Sequence, residues 1–152
     1  KKRFDFIEKD QPIANTNYPK RFQKKALITS GNYQWDIQRT GWWKHVLEIS
    51  AQQTPYNKWS LPINWRGNLA IRTEDNRQFR FKRKGFWKTA WVWLNEKEEE
   101  VMEIKICQWP KKKRGSVISN HFSDVRDLLF LAQIGWFVAL AAIEDSAAAA
   151  SF

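Results

Sequence analysis

The stretch Leu128-Leu-Phe-Leu-Ala-Gln-Ile-Gly-Trp-Phe-Val-Ala-Leu-Ala-Ala-Ile143 carries no charge and is apolar on every side of a helical projection. Ser123 and Asp124 precede it as N-cap candidates, and Glu144, Asp145, Ser146 and Ala147 to Ala150 can continue it, so a helix is expected over about 124–146. A helix with no wet face needs cover on all sides. At ~1.5 Å per residue the charge-free run is roughly 24 Å long. That is short of the ~30 Å hydrocarbon core of a bilayer, which favours a helix buried inside the protein. A tail-anchored membrane protein is the alternative reading of the same run.

Working back from this helix, the chain reads with a period of two. Tyr33, Trp35 and Ile37 alternate with polar neighbours, as do Leu47 and Ile49, Phe79 and Phe81, and Met102, Ile104 and Ile106. Weaker strand candidates lie around Phe4 to Ile7, Phe22 to Thr29, Lys58 to Trp65, Asn68 to Thr73, Lys88 to Leu94 and Ser116 to Ser119. That makes roughly ten short strands over about 4–119, a number typical of sandwiches and barrels. A closed antiparallel barrel of eleven or so strands is wide enough to enclose a helix. A helix on one face of an open sheet would keep a wet side. The expected architecture is therefore mainly β, a closed antiparallel barrel around a buried hydrophobic C-terminal helix, with 1–152 forming one domain.

An internal repeat supports the hairpin reading. Gln34-Trp-Asp-Ile-Gln-Arg-Thr-Gly-Trp-Trp-Lys44 aligns without gaps on Gln78-Phe-Arg-Phe-Lys-Arg-Lys-Gly-Phe-Trp-Lys88, with 44 residues between Gly41 and Gly85. Each copy reads as a strand, a basic turn on a glycine that can take positive φ, and a return strand. A degenerate third copy spans Ile104 to Arg114.

These hairpins, the Gly-aromatic-Trp-Lys turns (Gly41 to Lys44, Gly85 to Lys88), the strand Glu100-Val-Met-Glu-Ile-Lys105 after an acidic turn, and the apolar C-terminal helix resemble the tubby C-terminal-like superfamily. The similarity is to its small bacterial members, grouped with the LURP-one-related and phospholipid-scramblase proteins, and it covers roughly Arg21 to Asp145. It implies a twelve-stranded barrel around a central hydrophobic helix. The superfamily includes phosphoinositide-binding and scramblase-like proteins, and for the small bacterial members the resemblance implies no established activity. None of the family's lipid-binding residues, and neither its calcium-binding segment nor its palmitoylated cysteine cluster, maps onto this chain.

Charge is the strongest functional signal. Lys and Arg number 26 against 16 Asp and Glu, a formal net charge of +10, which favours anionic partners. With Phe79 and Phe81 inward, Arg80 and Lys82 face outward, and the turn residues Arg83 and Lys84 with Lys88 extend a cationic ridge. Arg39 and Lys44 hold the equivalent places in the first copy. Lys111, Lys112, Lys113 and Arg114 form a further cluster between Pro110 and Gly115. Each such cation is worth about 1 kcal/mol near an anionic lipid surface, and Trp42, Trp43, Phe86 and Trp87 beside the turn glycines suit a membrane interface. The expected partner is an anionic phospholipid surface. Nucleic acid, with these aromatics stacking on bases, is the alternative; a purely solubilising charge is the third reading.

Catalytic motifs are absent: the chain has no GxSxG, HExxH, P-loop or GxGxxG pattern. The lone Cys107 with His45 and His121 does not supply a four-ligand zinc set. Cys107 at a strand end reads as structural, and Glu96, Glu98, Glu99, Glu100 and Glu103 read as a solvated turn and strand rather than a cation site. No enzyme activity, metal or cofactor is expected. Lys1 to Asp10 shows no export signal, so the default location is cytoplasmic, with membrane association open.

Overall fold

The computed structural model describes residues 2–18, 25–40, 45–51, 58–63, 68–73, 76–85, 90–107, 114–119 and 125–150. They form β1 (Lys2–Glu8), β2 (Gln11–Tyr18), β3 (Lys25–Ser30), β4 (Tyr33–Thr40), β5 (His45–Ala51), β6 (Lys58–Ile63), β7 (Leu69–Arg72), β8 (Gln78–Arg83), β9 (Ala90–Leu94), β10 (Glu100–Cys107), β11 (Arg114–Ser119) and α1 (Val125–Ala150). The chain divides into two compact units, Lys1–Ile63 and Asn64–Phe152.

The first unit is a six-stranded antiparallel meander in the order β1 to β6. The β1–β2 link is tight, with Lys9 and Asp10 both at positive φ (48° and 64°), the backbone a two-residue hairpin turn needs. One face carries Ala14, Thr16, Tyr18, Ala26, Ile28, Trp35, Ile37, Leu47 and Ile49, all buried. Register puts them side by side, for example Thr16 opposite Ile28, Ile28 opposite Trp35 and Ile37 opposite Ile49. Strand β2 escapes the sequence reading because its inward set is Ala14, Thr16 and Tyr18 between Asn15 and Asn17. A small residue and a hydroxyl hide the apolar alternation, although Thr16 is fully buried.

The second unit holds a five-stranded antiparallel sheet in the order β11-β10-β9-β8-β7. Its inward face is larger in side-chain volume: Leu69, Ile71, Phe79, Phe81, Trp91, Trp93, Met102, Ile104 and Ile106 are all buried. Helix α1 packs on β9 and β10. The Trp93 indole Nε1 donates to the Leu131 carbonyl at 2.9 Å. A Cβ on Gly135 would lie 2.5 Å from Ile104 Cδ1 and 2.7 Å from Trp93 Nε1, so glycine is what lets the helix approach this closely. Asp127 in the first turn of α1 pairs with Arg77, just ahead of β8, and Gly135 lies against Phe81 farther along that strand. The helix therefore runs in the same sense as β8.

The mainly β fold with a buried apolar C-terminal helix is observed, as expected. The hydrogen-bonded ladders differ from a single closed ring: β1 and β6 end one sheet, β11 and β7 the other, and the described residues hold eleven strands. The helix is also longer than its charge-free run. It spans 26 residues, roughly 39 Å at the usual rise, because Glu144, Asp145 and the alanines continue it. Length therefore no longer separates core helix from anchor: Asp127–Asp145 is long and apolar enough to cross a bilayer, at a mean hydropathy of 1.6. Burial separates them better, since every residue from Leu129 to Leu140 is buried. More than three turns are covered on all sides.

Candidate anion-binding surface

Both copies of the internal repeat are hairpins, β4–β5 and β8–β9. The degenerate copy is the hairpin β10–β11. Gly85 takes φ 60° as the turn requires, and the Lys84 N–H donates to the Ala90 carbonyl at 2.8 Å. Strands β8 and β10 each run antiparallel to β9, so they are parallel to one another. The end of β8 at Arg83 to Gly85, the end of β10 at Cys107 and the start of β11 at Arg114 consequently lie at one end of this sheet. Exposed Cys107 is the cross-strand partner of Arg114.

On β8, Phe79 and Phe81 are buried while Arg80 and Lys82 are exposed, as the alternation predicts. Their charge is spent differently from the expectation. Arg80 pairs with Glu98, and Lys84 Nζ pairs with Glu100 at 3.1 Å and with Glu103 at 2.6 Å. Lys105 adds a contact to Glu103 at 3.2 Å. The acidic segment is therefore not a merely solvated one. Its turn is built on Asn95, whose Oδ1 accepts from the N–H groups of Lys97 and Glu99, and Glu98 takes positive φ. Hydrogen bonds to Glu103 and then Glu100 raise the Lys84 pKa above the usual lysine value. Hydrogen bonds from Lys84 and then Lys105 hold the Glu103 carboxyl below the usual carboxylate range.

These pairs also explain a feature of β9, whose five residues are all buried. Lys84 reaches Glu103 across β9, because that strand separates β8 from β10. The outward positions Val92 and Leu94 lie opposite Lys82 and Arg80 on one side and opposite Glu103 and Glu100 on the other. Methylene stems cover apolar surface while the charged heads stay in water. Lys82 is exposed and has no acidic partner among the described residues.

Arg83 and Arg39 depart from the expected ridge. Arg83 shares strand parity with Phe79 and Phe81 and is the cross-strand partner of fully buried Trp91. It therefore lies on the inward face, with its guanidinium carbon 5.5 Å from the centre of the Trp91 ring. Arg39 shares parity with Trp35 and Ile37 and faces buried Leu47. Both arginines are half-buried with a buried Nε. Their positions correspond in the repeat, so the inward arginine at the strand end is part of what is repeated. The parity of Phe79, Phe81 and Arg83 carries the signal; reading Arg83 as a turn residue ends β8 one residue early and hides it. Trp91 itself carried no site signal, since it reads as core.

Lys44, Lys88, Lys111, Lys112 and Lys113, with the aromatics Trp42, Trp43, Phe86 and Trp87, lie outside the described residues, as does the side chain of Arg114. The chain matches no family model, no curated protein and no solved structure.

Proposed function

We propose that the protein is a non-enzymatic peripheral binding module for anionic membrane surfaces. The observation that carries the binding reading is the parallel course of β8 and β10, which gathers the ends leading into two basic turns at one end of one sheet. The net charge of +10 supports it. The outward ridge contributes less than its sequence promises, because Arg80 and Lys84 already have carboxylate partners. Attraction then rests on Lys82, Lys88 and Lys111 to Arg114, with turn aromatics entering the interface. Burial of α1 from Leu129 to Leu140 supports a peripheral mode over a helical anchor.

Co-sedimentation of the full chain with neutral and with anionic liposomes tests this reading, run beside single-stranded and duplex oligonucleotides at one fixed salt. The expected result is pelleting with anionic liposomes that falls as salt rises and weakens in K111A/K112A/K113A. Pelleting that ignores lipid charge and salt overturns it. Binding to oligonucleotide alone transfers the surface to nucleic acid.

A further inference from the structure

We propose that the inward end of the β8–β9 hairpin is an oxyanion-binding site, with Arg83 and Trp91 as its donors and a phosphate or carboxylate group as its ligand. Two observations carry this, neither of them the outward charge on which the membrane reading rests.

Arg83 and Trp91 are cross-strand partners on the inward face, stacked at 5.5 Å. Residues so paired have side chains in direct reach of one another. The Arg83 Nε and the Trp91 Nε1 are both buried, and neither donates a hydrogen bond. Trp91 is 0% exposed. Two adjacent buried N–H groups without an acceptor, one of them the Nε of a half-buried guanidinium, are an arrangement that folded proteins avoid. The same strand shows the ordinary outcome two residues away, where Trp93 Nε1 is satisfied by the Leu131 carbonyl.

Among the described residues, the nearby carboxylates do not serve Arg83. Glu100 and Glu103 lie on the outward face, opposite Leu94 and Val92, and are engaged with Lys84. Glu98 is engaged with Arg80, and Asp127 with Arg77. Among the described residues no acceptor reaches either donor, and the proposed external ligand supplies one. An oxyanion offers several acceptor oxygens, enough for both donors, and its charge compensates the guanidinium, whose planar fork suits carboxylate and phosphate. A neutral carbonyl would satisfy the indole and leave the guanidinium without a counter-charge. The site lies where β8 passes into its turn at Lys84 and Gly85, and a Cβ built on Gly85 would meet nothing within 4 Å.

The test is a titration of the ¹⁵N-labelled full chain, following the tryptophan indole resonances at constant ionic strength. The probes are inorganic phosphate, acetate, and vesicles of neutral or of mixed neutral and anionic phospholipid. Trp91 is assigned by Trp91→Phe, with through-bond assignment as the second route should that variant fail to fold. The expected result is a saturable downfield shift of the Trp91 indole proton. Arg83→Met weakens it at least tenfold and Arg83→Lys weakens it less, while substitution of the exposed Arg72 on β7, Arg72→Met, leaves it unchanged. A shift with phosphate or acetate identifies a free anion as the source; a shift with anionic vesicles alone identifies a lipid headgroup. A Trp91 resonance that responds to none of these probes, or that responds equally in Arg83→Met and Arg83→Lys, overturns the proposal. Failure of co-sedimentation leaves this titration standing, so the two readings fail separately.

Discussion

The hairpins β4–β5 and β8–β9 are two copies of one template that bury the same positions with different residues. Trp35, Ile37, Leu47 and Ile49 in the first correspond to Phe79, Phe81, Trp91 and Trp93 in the second, and all eight are buried. The outward faces diverge. In β5 an exposed Glu48 separates the two buried residues, whereas in β9 the separating residue, Val92, is buried as well. The inward template is set by the need to fill a core. The outward solution is set by neighbours: β8 and β10 carry opposite charges that meet across β9 and shelter it. A strand apolar on both faces is thus tolerated in an antiparallel sheet when long charged side chains roof it.

The largest expected effect comes from breaking the inward correspondence. Trp93→Ala should destabilise by about 3–5 kcal/mol, and more than Ile49→Ala at the equivalent position, because the indole also holds the Leu131 carbonyl. Urea unfolding monitored by far-ultraviolet circular dichroism compares them. Equal losses would mean that the helix contact adds nothing to the second copy. A smaller effect is expected from Gly135→Ala, about 1–3 kcal/mol through overpacking. Its added methyl meets Ile104, Trp93 and Phe81, residues of the second sheet, so thermal unfolding should fall in step with loss of the Trp93 indole hydrogen bond. A variant of wild-type stability would show that α1 can shift along the sheet at no cost.

The smallest effect concerns the roof over β9. Glu103 has a lowered pKa in the fold, so its contribution is complete above the ordinary glutamate range and is lost as pH falls through the depressed value. Lys84 has a raised pKa, so its contribution holds below the ordinary lysine range and is lost as pH rises through the raised value. Glu103→Gln should therefore flatten the acid limb of the Tm against pH profile and shrink the alkaline limb, leaving what Glu100 still supplies. Substitution of the exposed Glu48 on β5, Glu48→Gln, serves as the first copy's counterpart. An unchanged acid limb in Glu103→Gln would show the roof to be electrostatically idle.

Most of the fold was legible where inward residues are large. Trp35, Ile37, Phe79, Phe81, Ile104 and Ile106 announce their strands because a bulky apolar residue at every second position has one physical use in water. Strand β2 was not legible, since its buried Ala14 and Thr16 carry no strong apolar signature. The candidate site was legible only in part. The outward placement of Arg80 and Lys82 followed from parity; the glutamates that pair with Arg80 and Lys84 did not, because Glu98 and Glu103 lie 18 and 19 residues away in the chain. Arg83 was misplaced although its parity was visible.

By itself the sequence determined the period-two strands, the three hairpins, the dry helix and the excess positive charge, since these depend on residues close together in the chain. Only the tertiary structure decided which cations are neutralised, which arginine turns inward onto a tryptophan, and how far the helix is covered. Those depend on strand order and register, which bring together residues that the chain keeps apart, and the pairing of charges is settled at distances of a few ångströms that no local pattern encodes.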